Sequence, residues 1–301
     1  MPGAAASTDA PPDFLVIGHV TKDLHPDRDY TIGGSATFAA ITAQRLGLRA
    51  GIVTSASPDL LERLPEALPG VALACIPASE STTFENIYEN GGRRQYLRGR
   101  AAPLDLSAVP DAWRRTRIVL LGPLAQEVAP ALASAFPGAL LGATPQGWLR
   151  QWASDGQVSP TAWASAAEVL PHLHALILSR EDLIAHNGGN QHDQIETLLR
   201  AWTRMTPALV LTEGAQGATL HSDGRSRHFH AFPTTQVDPT GAGAVFAAAF
   251  LIQYALAQDA NAAMRFANCV ASFAVEQPGA AGIPTPQQVA TRLRSRRAAS
   301  R

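Results

Sequence analysis

Residues 238–246 read Asp-Pro-Thr-Gly-Ala-Gly-Ala-Val-Phe, a glycine-bearing turn that runs directly into an apolar, alanine-rich stretch from Val245 to Leu256. That stretch reads as a helix. The first turn of a helix carries amides without intrahelical partners and the positive end of the helix dipole, so Gly241, Ala242, Gly243 and Ala244 form a candidate anion hole. Gly241 and Gly243 lack Cβ atoms and would let a phosphate approach the main chain closely. Taken alone, the run also reads as an ordinary turn before a helix. Asp238, just ahead of it, is placed to hold the turn, to contact a metal through water, or to stand as an exposed turn residue. A second glycine pair, Gly33-Gly34, opens another alanine-rich stretch. It would admit a substrate to the main chain or simply start a helix.

These turns need a scaffold. Phe14–Val20, Gly51–Thr54, Ile118–Leu121, Ala139–Gly142, Ala175–Leu178 and Ala208–Thr212 are short apolar runs expected as strands. Between them lie helical patterns such as Gly34–Leu46, closed by Gly47, and Pro58–Leu68. The alternation predicts βαβ units, hence an α/β fold with a mainly parallel sheet and helices on both faces. Thr82–Tyr88 and Arg93–Arg98 break the rhythm. They are β-prone, separated by Glu-Asn-Gly-Gly, and predict a small accessory hairpin, with a strand from residues 19–32 joining it. A second hairpin is expected over His221–His230, turning at Asp223-Gly224.

The 301 residues are 46% hydrophobic and 16% charged, enough for one large domain with a small appendage. With 24 basic against 25 acidic residues there is no electrostatic case for nucleic acid or an anionic membrane. Residues 1–12 are expected to be a disordered tail without signal-peptide character, and 291–301 a basic C-terminal tail on a solvated last helix. No run of about 18 apolar residues predicts a membrane span. Cys75 and Cys269 show no metal spacing and read as buried free thiols, which suits a reducing, cytoplasmic setting. The nine histidines show no His-x₃-His spacing, against a zinc site. A P-loop motif and a Gly-x-Gly-x-x-Gly after the first strand are both missing, against P-loop kinases and dinucleotide oxidoreductases.

Asp238-Pro-Thr-Gly-Ala-Gly-Ala244 resembles the C-terminal signature of the PfkB (ribokinase-like) carbohydrate kinases, Asp-x-Thr-Gly-Ala-Gly-Asp. Gly33-Gly34-Ser-Ala-Thr-Phe-Ala-Ala, closing at Leu46-Gly47, resembles the family's N-terminal signature, with Phe38 where many members have asparagine. Gly18-His-Val-Thr-Lys-Asp23 resembles the first strand with its substrate-binding aspartate, and Thr212-Glu-Gly-Ala-Gln-Gly217 the segment beneath the nucleotide phosphates. Leu178-Ser-Arg-Glu-Asp182 occupies the place of the Asn-x-x-Glu motif that organises magnesium. The resemblance spans about residues 13–290 and implies a ribokinase-like three-layer α/β/α sandwich with a small β lid.

It also implies chemistry: ATP- and Mg²⁺-dependent phosphorylation of a sugar, polyol or nucleoside hydroxyl. Acceptor contacts would come from Asp23, Gly33, Gly34, Asn86 and Gln146. Nucleotide contacts would come from Thr212, Gly214, Gly217, Asp238, Asn268 and Gly279, with Asp182 as an indirect metal contact. Phosphoryl transfer is mostly positioning and charge stabilisation, and Asp23 offers two acceptor oxygens to hydroxyls. Arg93, Arg94 and Arg98 read better as a solvated strand face than as phosphate contacts. The family's catalytic aspartate is replaced by Ala244, which accepts no proton, so this chain is expected to be nearly inactive. A non-catalytic nucleotide- or sugar-binding relative, and an enzyme using another base, are the other readings. Family members often dimerise through the lid, and the hairpin leaves monomer and homodimer both open.

Overall fold

The computed structural model describes residues 10–26, 28–89, 92–186 and 192–299. In chain order the strands are β1 (Phe14–Ile17), β2 (Thr21–His25), β3 (Arg28–Gly33), β4 (Ala50–Ala56), β5 (Ala72–Pro77), β6 (Thr83–Glu89), β7 (Gly92–Gly99), β8 (Ile118–Leu121), β9 (Leu140–Ala143), β10 (Arg150–Trp152), β11 (Val158–Pro160), β12 (Ala175–Ser179), β13 (Ala208–Thr212), β14 (Gly217–Ser222) and β15 (Arg225–His230). The helices are α1 (Ser35–Arg45), α2 (Pro58–Ala67), α3 (Ala166–Val169), α4 (Arg180–His186), α5 (His192–Thr203), α6 (Ala242–Ala257), α7 (Ala260–Ala274) and α8 (Pro286–Ala299).

Nine strands form the central sheet in the order β15-β14-β13-β12-β9-β8-β1-β4-β5. All neighbours from β13 to β5 pair in parallel, while β14 and β15 close one edge antiparallel. Strands buried on both faces must be apolar at every position, and Phe14-Leu-Val-Ile17 and Ile118-Val-Leu-Leu121 are. Their side chains alternate between two cores. Phe14, Val16, Ile118, Leu120, Ile177 and Val210 pack with α1, α6 and α7. Leu15, Ile17, Val119, Leu121, Leu176 and Leu209 pack beneath Trp113, Trp148, Trp163 and Trp202. Trp148 stacks on Trp163 at 5.2 Å, and Trp163 meets Trp202 edge-on at 5.5 Å. Helices on one face, and on the other short 3-10 turns with α3, α4 and α5, complete three layers.

From β1 the chain steps to β4 and β5 on one side, then returns to lay β8, β9, β12 and β13 on the other. The order therefore reverses at β1/β8. In open α/β sheets, ligands bind at the carboxyl ends of the strands beside such a reversal.

A separate four-stranded sheet, β3-β2-β6-β7, stands off the central one. Phe84 and Leu97 on one of its faces are buried against Leu124 and Ala125. Its β7 side meets the β10–β11 hairpin, where Leu97 donates its amide to the Gly156 carbonyl at 2.8 Å and Tyr96 bridges to Gln157. On the opposite side Lys22 pairs with Asp59 of α2, and Arg63 of α2 lies over the Tyr30 ring at 4.3 Å.

Some boundaries differ from expectation. Of the expected tail 1–12, residues 1–9 lie outside the described residues, but Pro12 is buried, packed where a Cβ on Gly51 would lie 2.8 Å from its ring. The expected tail 291–301 begins inside α8, whose Arg292 pairs with Glu276 at 3.0 Å and covers the Phe273 ring. The hairpin tip at Asn90 and Gly91, and the Arg93 side chain, lie outside what is described. Cys269 is buried, whereas Cys75 is only half so; both are free. Among the described residues no helix is long and apolar enough to cross a membrane.

Candidate active site

Of the residues expected to contact an acceptor, Asp23, Gly33 and Gly34 come together where β1 hands over to β2. Asp23 on β2 pairs across with Thr31, and its carboxylate leans toward Gly33, the partner of Thr21 two residues along: a Cβ on Gly33 would lie 2.0 Å from Asp23 Oδ2. Thr21 donates its hydroxyl to Asp23 Oδ1 at 3.0 Å and so orients the carboxylate. Gly34 caps α1 at φ 94, a left-handed conformation, and a Cβ there would lie 2.5 Å from the His19 carbonyl. Gly34 is thus required both by close approach to main chain and by its backbone angle, whereas a side chain at Gly33 would displace the Asp23 carboxylate. Asn86 lies on the same face of the accessory sheet as Asp23, since Asp23 pairs with Phe84 two residues earlier. Its Oδ1 accepts from Gln95 Nε2 at 3.0 Å. Gln146 is half-buried on the 3-10 turn Pro145–Leu149 that follows β9.

A buried carboxylate shapes this cleft without having been expected there. Glu127, 1% exposed, accepts the amides of His19, Leu124 and Ala125 at 2.7–3.1 Å. It thereby locks the loop after β1 to the loop after β8. His19 is buried between them: Nε2 donates to the Ala102 carbonyl at 2.9 Å, which in a neutral ring leaves Nδ1 to accept from Thr82 Oγ1 at 2.6 Å. The sequence holds no local signal for this, because Glu127 and His19 are 108 residues apart.

The phosphate-side turn is built as a helix N-terminus. Gly241 sits at φ 77, ψ −5, left-handed, and caps α6. Ala242 donates its amide to the Pro239 carbonyl at 3.2 Å and Val245 to the Gly241 carbonyl at 3.0 Å. Among the described residues, the amides of Gly243 and Ala244 have no protein partner. Two open amides at the positive end of a 16-residue helix are a ready anion site. Gly243 is exposed and a Cβ on it would meet nothing within 4 Å, whereas Ala244 is buried.

The two halves of the site touch. The Phe38 ring, one turn into α1 from Gly34, lies flat against Gly241, where a Cβ would come 2.3–2.5 Å from Cγ, Cδ1 and Cδ2. One helical turn therefore joins the Gly33-Gly34 cup to the open amides. Behind the turn, Asp238 Oδ1 accepts from the Thr240 amide and Oδ2 from the Gly279 amide, each at 2.9 Å. Burial alone would raise its pKa, but these donors outweigh it and hold the carboxyl below the usual carboxylate range. Asp238 thus ties the anion turn to the Gly279–Gly282 turn.

Further along the same sheet edge are the remaining nucleotide-side expectations. Thr212 ends β13 and donates its hydroxyl to the Leu178 carbonyl at 3.3 Å. Gly214 and Gly217 follow at φ 56 and φ 110, and a Cβ on Gly217 would lie 2.1 Å from the Phe229 carbonyl. Between Thr212 and Gly214, Glu213, its side chain 8% exposed, pairs with Arg180 at 2.6 Å and with His228 at 3.2 Å, and accepts from Thr219. Burial pushes its pKa up, and the Arg180 and Thr219 hydrogen bonds bring it net below the ordinary value. This cluster was not foreseen. Asp182 accepts from Ser179 Oγ at 2.7 Å and donates its amide back to that oxygen at 3.0 Å. Asn268, expected on the nucleotide side, is buried with its side-chain nitrogen donating to the Phe229 carbonyl at 3.0 Å, where it ties α7 to β15. Arg98 is engaged by Glu85 at 2.7 Å and covers the Tyr96 ring.

Magnesium, implied by the sequence resemblance, finds no protein cage: among the described residues no three His, Cys, Asp or Glu side chains cluster to hold a metal. Both oxygens of Asp238 are spent on amides, and Asp182 is shared with Ser179. That donor set fits an ion carried in on donor phosphates and supported by a carboxylate, the common habit of Mg²⁺.

Residues 143–288 match the model of the pfkB family carbohydrate kinases. The ribokinase of Bacillus subtilis (strain 168) is 39% identical over 94 residues, 31% of this chain, and the match spans about a third of that protein, 32%. The cytidine kinase of Thermococcus kodakarensis is 24% identical over 262 residues, covering 80% of this chain and 88% of the kinase. Among solved structures, a pyrophosphate-dependent kinase in the ribokinase family, complexed with a pyrophosphate analog and myo-inositol, superposes at a TM-score of 0.77 over 92% of this chain and 99% of that one, at 22% identity. At that identity the likeness establishes the fold. Residues 143–288, just under half of the chain, thus match the pfkB family carbohydrate kinases, and nearly the whole chain shares the fold of the ribokinase-family structures.

Proposed function

We propose that this fold serves ATP-dependent phosphorylation of a sugar, polyol or nucleoside hydroxyl, with Mg²⁺ carried on the donor phosphates, and that the chain as it stands is nearly inactive because Ala244 occupies the base position. The observation that carries the reading is the direct packing of Phe38 on Gly241, which sets a hydroxyl-binding cup against two open amides at a helix N-terminus. Asp23 would hold an acceptor hydroxyl, and the Gly243 and Ala244 amides would take the charge on the transferring group. Magnesium, when bound, would neutralise the donor phosphates. The four-stranded sheet would act as a lid that excludes water and limits wasteful hydrolysis.

Proton transfer is what the chain lacks. Alanine cannot take the acceptor proton, and Asp238, the nearest carboxylate in sequence, has both oxygens committed to amides. A non-catalytic binding role for nucleotide or sugar is the second reading, favoured by that same absence of a carboxylate at 244.

Ala244→Asp tests both. A positioned general base is worth about 10²–10⁴-fold, so kcat should rise by that factor with the correct acceptor while KM changes little. A carboxylate in the first turn of a helix is also electrostatically favourable. The assay runs ribose, myo-inositol and cytidine against Mg-ATP and pyrophosphate. Equal kcat in both variants across every pairing would sink the kinase reading and leave the binding role.

A further inference from the structure

Both ring nitrogens of His228, on β15, face hydrogen-bond acceptors. Nε2 lies 3.1 Å from the Gln216 carbonyl, and Nδ1 lies 3.2 Å from Glu213 Oε2. A neutral imidazole has a single N–H and cannot serve both, whereas an imidazolium can. The Thr219 hydroxyl, across the ladder on β14, reaches either side: it is 2.9 Å from Glu213 Oε2 and 3.1 Å from His228 Nδ1. The cluster therefore has two complete arrangements. With the ring charged, Nε2–H donates to Gln216, Nδ1–H donates to Glu213, and Thr219 donates to Glu213 as well. With the ring neutral, Nε2–H still donates to Gln216, Thr219 turns to donate to Nδ1, and Glu213 is left to Arg180 at 2.6 Å. The His228 side chain is 36% exposed, so solvent protons reach it.

What this clasp holds is the turn of residues 212–217. Glu213 and Gln216 both belong to it, and it is closed by the Glu213 amide on the Gly217 carbonyl at 2.8 Å and the Gln216 amide on the Glu213 carbonyl at 3.1 Å. One proton decides whether β15 grips the turn through both of these residues or through Gln216 alone. It also sets the charge there: two cations against one carboxylate, or one against one. Other titratable groups share this face. The His230 ring meets the His228 ring edge-on at 4.8 Å, and charging both would be opposed by their repulsion. His221 on β14 is bonded through Nδ1 to Ser226 at 2.8 Å, and burial holds it below the usual histidine range. Glu196 of α5 and Arg180 of α4 come from the helices on this side, and both bear on His221.

We propose that His228 and Thr219 are positioning residues for the phosphoryl donor: charging His228 closes the 212–217 turn and strengthens its hold on the donor's phosphates, so donor binding weakens as pH rises through the histidine range. This rests on the reading of that turn as the donor side of a kinase site, and adds a proton dependence to it.

Two measurements on the whole chain test it. Histidine changes charge between about pH 5 and 8, so NMR can follow the His228 ring and the Gly214 and Gly217 amides over that range with no donor present. The amides should titrate with the midpoint of the ring, and should cease to do so in His228→Gln and in Glu213→Gln. Calorimetry then measures Mg-ATP and Mg-pyrophosphate at about pH 6 and about pH 8.5, on either side of the histidine range. The unaltered chain should bind donor at least about fivefold more tightly than His228→Gln at the lower pH, the small end of an ordinary coupling between sites, and equally at the higher. Comparing variants at one pH removes the donor's own proton uptake. His230→Gln should bind as the unaltered chain does at both. Amides indifferent to the His228 ring overturn the proposal, and so does an affinity ratio that is the same at both pH values, which is what a merely structural contact would give. If neither donor binds at any pH, the kinase reading fails, and the amide titration alone decides the clasp.

Discussion

Replacing Gly241 by alanine should be among the costlier single changes in the molecule, and the reason can be split in two. Gly241 holds φ 77, where an L-residue costs about 1–2 kcal/mol. The new Cβ would also stand 2.3–2.5 Å from three ring carbons of Phe38, which is itself 5% exposed and closed in by the core. Overpacking of that kind adds about 1–3 kcal/mol. The sum, about 2–5 kcal/mol, is a large share of the about 5–15 kcal/mol that holds an ordinary domain folded. The two parts separate in a double-mutant cycle. In a Phe38→Ala background the ring is gone, and Gly241→Ala should cost only the backbone part, about 1–2 kcal/mol. The coupling should therefore be about 1–3 kcal/mol. Urea unfolding of the four variants, with the m-value checked for constancy, measures it. Additivity within about 0.5 kcal/mol would refute the packing of α1 against the anion turn, and with it the link between the two halves of the site.

Glu127→Ala would strip the amides of His19, Leu124 and Ala125 of their common acceptor. At about 1–3 kcal/mol per unsatisfied buried group, urea unfolding should show a loss of at least about 3 kcal/mol, partly recovered by Glu127→Gln. A loss below about 1 kcal/mol would mean that water reaches these amides. Glu213 titrates below its ordinary value when folded, because its bonds to Arg180 and Thr219 outweigh its burial. A carboxyl depressed on folding stabilises the protein above its unfolded pKa, near about 4.3, and loses that contribution as pH falls through the lower folded value. Glu213→Gln should flatten the stability curve below that pH, and an unchanged slope there would show that the Arg180 pair contributes nothing.

The central sheet was legible because its signal is local. Four consecutive apolar residues at Phe14–Ile17 or Ile118–Leu121, too few for a helix and set between turn signals, read as strands buried on both faces, and Gly47 after α1 and Gly241 before α6 mark helix boundaries without reference to anything distant. Asp223 and Gly224, at φ 50 and φ 69, form the tight turn that their types suggested. What the sequence hid is non-local. Phe38 and Gly241 are in contact across more than half the chain. Glu127 reads as a stray acid in an apolar loop until three amides from two loops converge on it. Asn268 likewise has a partner that no local pattern announces: its side-chain nitrogen donates to the Phe229 carbonyl, 39 residues away.

The accessory sheet is fastened along two seams, and this decides how anything enters beneath it. A flap hinged along one edge swings freely. A flap held on both sides opens only by parting one seam or by dragging a neighbour with it. The seams are unequal. On the α2 side they are ion pairs, the largely covered Lys22 with Asp59 and the exposed Arg63 with Asp29, with both cations also lying over the Tyr30 ring; an exposed ion pair is worth about 0–1 kcal/mol. On the other side the Leu97 amide is bonded to Gly156, and Phe84 and Leu97 are sealed onto Leu124 and Ala125. If the sheet opens as the proposed lid, the ion pairs on the α2 side are the salt-sensitive seam, and raising the salt concentration would loosen that side, along β2 and β3, before it disturbs the apolar contact on the other.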